Sequence, residues 1–189
     1  DSNRLSLTDL NYVERSNKIR IEKLLNSVGL TLGAYNATTV GATCTLFNAS
    51  HVAIPNGSGV TGSDGMVNLS NVVIPTGFIY SKCTGGYYID EATGISTSAP
   101  DLRAGMIYSG TGNVILVPSP LSEIAYHLAN TNSDDTSTIA ASIEVKNTLV
   151  GKAFGMSGVD LITTIPTNIN TTKAANDDAG KFGSVLAAI

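Results

Sequence analysis

Between Leu30 and Val117 the chain meets a turn signal about every ten residues, and no other feature limits its fold so tightly. Short runs of Thr, Val, Ile, Tyr and Phe are cut by Pro55-Asn56-Gly57-Ser58-Gly59, Gly62-Ser63-Asp64-Gly65, Pro75-Thr76-Gly77, Gly85-Gly86, Thr93-Gly94 and Gly110-Thr111-Gly112-Asn113. That spacing is the mark of a sandwich or barrel. Strands are expected over residues 40–48, 59–61, 66–69, 78–84, 87–90, 102–108 and 114–117. The glycine-rich breaks at 57–59 and 110–112 read as hairpin turns, since they lack the following helix and the lysine of a phosphate-binding loop.

After Val117 the periodicity changes from two to helical. Ser119 is placed to cap a helix with Pro120 at its first position, where a missing N–H costs nothing. Leu121, Ile124, Ala125 and Leu128 then form one stripe to about Ala129. A polar loop over 130–135 leads to a second helix with the stripe Ile139, Ile143, Val150 and Phe154, stopped by Gly155. A third is expected over 172–189, with Ala175, Ala179, Phe182, Leu186 and Ile189 on its buried side. Three short amphipathic helices cannot bury their faces alone, so they are expected to pack on one another and on the sandwich edge.

The start of the chain is different. Arg4, Arg15, Lys18, Arg20 and Lys23 are nearly half of all its basic residues, and Ile21, Leu24, Leu25 and Val28 recur at helical spacing before Gly29. A helix over 10–27 is the first reading; a half-buried strand, with Ile19 and Ile21 alternating with Lys18, Arg20 and Glu22, is the other. The expected organisation is a helical or extended arm over 1–34, a β-sandwich over 35–117 and a helical cap over 118–189. The fold class is therefore α+β, an antiparallel sandwich with a C-terminal three-helix cap.

Only 14% of the residues are charged against 42% hydrophobic, so neutral Ser, Thr, Asn and Gly must build the surface, as in secreted β-proteins. With a net charge of -4 and no basic cluster beyond the scattered N-terminal residues, there is no positive field for nucleic acid. No stretch reaches the ~18–20 apolar residues of a membrane span, and no charged start with an apolar core is present. The chain reads as a mature form without its signal or as a piece of a longer protein. Cys44 and Cys83 each sit in a strand-like run and read as one disulfide closing a loop of about 40 residues, worth ~3–4 kcal/mol; two buried free thiols are the alternative.

Gly41-Ala42-Thr43-Cys44-Thr45-Leu46 followed by Gly62-Ser63-Asp64-Gly65-Met66-Val67-Asn68-Leu69 resembles the prealbumin-like sandwich of carboxypeptidase regulatory-like modules, where a Gly-Ala-Thr strand precedes a tight Asp-Gly turn. Gly85-Gly86-Tyr87-Tyr88-Ile89-Asp90-Glu91-Ala92-Thr93-Gly94 and Leu102-Arg103-Ala104 are similar to runs in large bacterial surface and adhesin-like proteins. Pro118-Ser119-Pro120-Leu121-Ser122-Glu123-Ile124-Ala125 and the stretch from Phe154 to Thr167 are similar to the next segments of those proteins. The resemblance covers residues 38–189 and implies an Ig-like or prealbumin-like sandwich, a secreted or surface location and a structural or adhesive role. It supplies no catalytic residues. Both cysteines stand where the pattern has valine-like residues, and the first thirty residues match nothing in it.

Candidate chemistry is sparse. His51 falls in a loop and His127 on the polar side of a helix, without the Cys, Asp or Glu neighbours of a zinc site, and there is no nucleophile elbow for a serine hydrolase. The pairs Asp90-Glu91, Asp134-Asp135 and Asp177-Asp178 sit side by side in polar loops, not across a cleft as glycoside hydrolysis requires. Calcium is the cation such ligands suit, but helix capping by Asp134 or Asp135 and by Asp177 or Asp178 accounts for them without a metal. Asn36, Asn48, Asn56, Asn68 and Asn170 open Asn-x-Ser/Thr triplets and are candidate glycosylation sites. Tyr87, Tyr88 and Tyr108 are either a sugar-stacking face or cross-strand packing. The residues thus read as a non-catalytic structural or adhesive module of an extracellular bacterial surface protein, whose partners are other copies, neighbouring modules or a glycan. Alternatives are a subunit of an extracellular filament or pilus assembled through its N-terminal segment, and an accessory carbohydrate-binding domain.

Overall fold

The computed structural model describes residues 15–16, 18–20, 27–35, 37–90, 93–130, 135–169 and 171–189. Residues 15–16 and 18–20 have helical backbone; of the helix expected over 10–27, Ser27 instead opens a strand, and the remainder lies outside the described residues. Nine strands follow among the described residues: β1 (Ser27–Gly33), β2 (Thr43–Asn48), β3 (Ala53–Val60), β4 (Met66–Val73), β5 (Gly77–Thr84), β6 (Tyr87–Ile89), β7 (Ser96–Ser98), β8 (Leu102–Tyr108) and β9 (Val114–Leu116). Three helices complete the fold: α1 (Pro120–Ala129), α2 (Thr136–Ala153) and α3 (Asp178–Leu186). The class is α+β, with sheets ordered β4-β1-β9, β3-β2-β5-β8 and β6-β7, antiparallel except where β1 runs parallel to β9.

The two larger sheets enclose one core. Leu30 and Leu32 of β1, Val72 of β4 and Leu116 of β9 meet Leu46 of β2, Ile79 of β5 and Ala104 of β8 in a single buried cluster. Cys44 and Cys83 belong to it, facing each other across β2 and β5 with their Cα atoms 4.0 Å apart and joined by the expected disulfide. Strand β5 has a second apolar face, because Phe78 and Tyr80 alternate with Ile79 and Ser81 and all four are buried. Phe78 and Tyr80 pack with Tyr126 and Ala129 of α1 and Ile139 and Ile143 of α2 in a separate cluster. Helices α1 and α2 therefore lie on the outer face of the four-stranded sheet, and not at its edge as the sequence suggests. Gly105 on β8 permits the approach: an added Cβ would meet the Phe78 ring at 2.9 Å and Ile143 at 3.5 Å.

Helix α3 does not join that layer. Phe182 and Leu186 enter the main core with Val150, Met156, Leu161 and Ile162, and the Thr167 N–H donates to the Ala179 carbonyl at 3.0 Å. It starts at Asp177, whose carboxylate accepts the Gly180 N–H at 2.7 Å, several residues later than expected, and Ile189 remains exposed.

Three strands depart from the sequence reading, one of them β7, which pairs with β6 over a stretch where no strand is expected. Ser27–Gly33, assigned there to the arm, is the middle strand of the three-stranded sheet; helical spacing through Val28 hid the alternation of Leu30 and Leu32. The run from Pro55 to Gly59, read as a turn, lies within β3. As an edge strand β3 tolerates Pro55, and Asn56 takes the left-handed conformation (φ 61°) where the register with β2 shifts.

Tyr35 ties the three-stranded sheet to the segment leading into α1: its N–H donates to the Pro118 carbonyl at 3.0 Å and its hydroxyl to the Asp64 carbonyl at 2.9 Å. Burial, helped by the negative charge of Asp64, pushes its phenol well above the ordinary value of 10.0. The folded chain then keeps a proton that the unfolded chain loses, so this contribution is present below about pH 10 and fades as pH rises past it. Urea midpoints of wild type should fall more steeply above about pH 10 than those of Tyr35→Phe. Thiol titration of the denatured, unreduced chain should find no free thiol. Cys44→Ala/Cys83→Ala should lose about 3–4 kcal/mol in urea unfolding.

Candidate functional site

Helix α1 begins with a reciprocal cap, in which Ser119 Oγ accepts the Ser122 N–H at 3.2 Å and Ser122 Oγ accepts the Ser119 N–H at 2.8 Å. The cap aims Ser122 and Glu123 at β8. The Ser122 hydroxyl donates to the Arg103 carbonyl at 2.7 Å. Glu123 accepts the Arg103 N–H on Oε2 at 2.6 Å, and the guanidinium Nη2 and Nε on Oε1 at 2.6 and 3.1 Å. The guanidinium carbon lies 4.4 Å from the centre of the Tyr126 ring. His127 Nε2 is 3.1 Å from Arg103 Nη2 and 2.9 Å from Glu123 Oε1, so the ring either accepts from one or donates to the other. Further along, Asn147 Nδ2 of α2 donates to the Gly105 carbonyl at 3.2 Å. Side chains of both helices thus hold backbone groups of the edge strand β8 that another strand would otherwise pair with.

Beside this edge, between α2 and residues 156–163, is an open cavity of about 370 Å³. Met106, Met156, Leu161 and Ile162 supply apolar wall; Glu144 and Asp160 are its two carboxylates, both on exposed residues. Asp160 is anchored by the Ile162 N–H at 2.8 Å and the Thr163 hydroxyl at 2.6 Å. A second hollow on the other side of Glu144 and Thr148 is lined by Val145, Leu149 and Lys152.

The residues singled out from sequence are scattered. His51 Nδ1 lies 2.8 Å from the Tyr80 hydroxyl, whereas His127 on α1 is engaged with Glu123 and Arg103. Asp90 accepts the Thr93 N–H and hydroxyl, both at 2.7 Å, in a turn. Asp135 caps α2: its hydrogen bonds from the Ser137 hydroxyl and N–H, and from Thr138, hold its carboxyl below the ordinary aspartate range. Glu91 and Asp134 lie outside the described residues. Among the described residues no three His, Cys, Asp or Glu side chains gather as a metal site would need. Tyr87 and Tyr88 are adjacent on β6 and so point to opposite sides, while Tyr108 is buried with its hydroxyl on the Gly112 carbonyl at 3.0 Å; the three tyrosines share no face. Of the glycosylation candidates, Asn56 is exposed; Asn68 is exposed with its Oδ1 taking the Thr31 hydroxyl at 2.7 Å. Asn48 is half-buried, its Oδ1 accepting the Ser50 and Val52 N–H groups at 2.9 and 3.1 Å. Asn36 and Asn170 lie outside the described residues.

Sequence reasoning missed the Arg103–Glu123 contact and the cavity. Glu123 and His127 stand four apart on one helix, which pairs them, but nothing in the sequence links either to Arg103, 20 and 24 residues away. No family model matches this chain, and no curated protein matches it.

Arg103 and Glu123 side chains are 21% and 18% exposed, so removing one leaves the other poorly solvated. Glu123→Ala should cost about 2 kcal/mol or more in urea unfolding, with a coupling of about 1 kcal/mol or more to Arg103→Ala in a double-mutant cycle.

Proposed function

We propose that this chain is a non-catalytic structural or adhesive module of an extracellular bacterial protein, built on an Ig-like or prealbumin-like sandwich. The observation that carries the reading is the Cys44–Cys83 bond, buried at the centre of the main core between β2 and β5. Disulfides of this structural kind form and persist in oxidising compartments and are rare where glutathione keeps thiols reduced. The low charge and the many short turns agree with that setting. A module placed among neighbours must also avoid joining sheets with them, and the helix side chains along β8 and the proline and bulge in β3 serve that end.

A filament subunit is the second reading, favoured by one observation. Arg15, Lys18, Ile19 and Arg20 have helical backbone, and all but the half-buried neighbour Ser16 in that stretch are exposed, Ile19 at 54%. Because β1 already pairs with β4 and β9 of its own chain, a connector to a neighbour would be drawn from residues before Ser27.

Light scattering over a range of concentrations, with electron microscopy of the same samples, tests the two. The module reading expects a stable monomer; fibres of regular width growing with concentration would replace it with the filament reading.

A further inference from the structure

We infer that the outward face of α2 is an interface for a second copy of this chain, packed antiparallel to the first about a two-fold axis near Thr148. The helix buries Ile139, Ile143 and Val150 against the body of the molecule. On its other side Val145 and Leu149 stay exposed, at 68% and 51%. Single exposed apolar residues are ordinary, but these two stand four apart and form one ridge with the exposed Ala141 before them. Glu144, Thr148 and Lys152 form the neighbouring ridge, and the hollow that all five residues line is the groove between the two. Such a groove takes an i,i+4 ridge of another helix, with the axes crossing at about −50°.

Charge selects a second copy as the occupant. Glu144 and Lys152 lie on either side of Thr148, each about 6 Å from it along the axis, and neither forms an ion pair among the described residues. Reversing the helix exchanges the two positions. In an antiparallel pair each Glu144 therefore faces a Lys152 of the other copy, whereas a parallel pair sets like charges together. The face is thus complementary to itself, as an isologous interface requires. Thr148 brings no unsatisfied donor to the centre, because its hydroxyl donates to the Glu144 carbonyl at 3.0 Å. A contact confined to one helix falls below the ~1,200 Å² that stable complexes bury, so the isolated chain is a monomer in dilute solution and pairs only when concentrated. Modules tethered side by side on a surface reach that condition; this use rests on the module reading, and the pairing itself does not. Because a two-fold contact closes on itself, it yields dimers and no fibres, so the two readings fail by different results.

Sedimentation equilibrium of the intact chain, from micromolar to millimolar concentration, is the test, with urea midpoints confirming that each variant is folded. A monomer–dimer equilibrium is expected, weakened about tenfold or more by Leu149→Asp. Glu144→Lys and Lys152→Glu should each weaken self-pairing about threefold to tenfold. An equal mixture of those two variants should pair at least as well as wild type, since a ridge with two positive ends then meets a ridge with two negative ones. A chain that is monomeric at every concentration overturns the proposal and leaves the face to a partner of another kind. Dimers indifferent to Leu149→Asp or to the charge reversals, or a mixture that pairs no better than its components, overturn it as well.

Discussion

Burial of β5 on both faces is the constraint on which the rest of the structure depends. Ile79, Ser81 and Cys83 face the three-stranded sheet, and Phe78 and Tyr80 face the helices. A strand whose two sides are both apolar cannot lie at a surface, so the two larger sheets alone leave the molecule unfinished. Helices α1 and α2 complete it as a further layer. The aromatic cluster is cohesive: Tyr80 stacks on Phe47 with centroids 5.1 Å apart and lies 5.6 Å from Tyr126. The disulfide then fastens β5 to β2 within the main core, so the strand that organises both cores is also the covalently held one.

The helices do more than cover apolar rings. Ser122, Glu123 and Asn147 reach the backbone of β8, the free side of the four-stranded sheet, and occupy hydrogen-bonding groups there. One layer thereby solves two problems, an exposed aromatic face and an exposed strand edge. A partner approaching the β8 side of this sheet therefore meets helix side chains before open strand. The cavity belongs to the same arrangement, since it lies where α2 and residues 156–163 diverge beside β8.

Much of the architecture is legible in the sequence because local rules and tertiary packing agree. Turn residues and alternation place β2, β4, β5, β8 and β9 close to their observed positions. Ser119-Pro120 marks the start of α1, and Asp135 and Asp177 are the caps of α2 and α3. Where local rules and packing disagree, the sequence misleads. Leu30 and Leu32 alternate correctly for a strand, but Leu24, Leu25 and Val28 before them carry a helical period that masks its start. In β3, Pro55-Asn56-Gly57 has turn chemistry and no apolar alternation; it forms the bulge of a strand that β2 pairs with on either side, at Ala53 and at Ser58–Val60.

The sequence by itself determined most of the element types, the placing of both cysteines in strands and the scarcity of charge, because each follows from near neighbours or from composition. Only the tertiary structure decided that the helices cover a sheet face, that α3 joins the main core, and that Arg103 meets Glu123 beside a cavity with an unpaired amide oxygen. Those outcomes depend on which apolar faces remain uncovered once the strands have paired, and pairing between distant strands leaves no periodic trace in the order of residues.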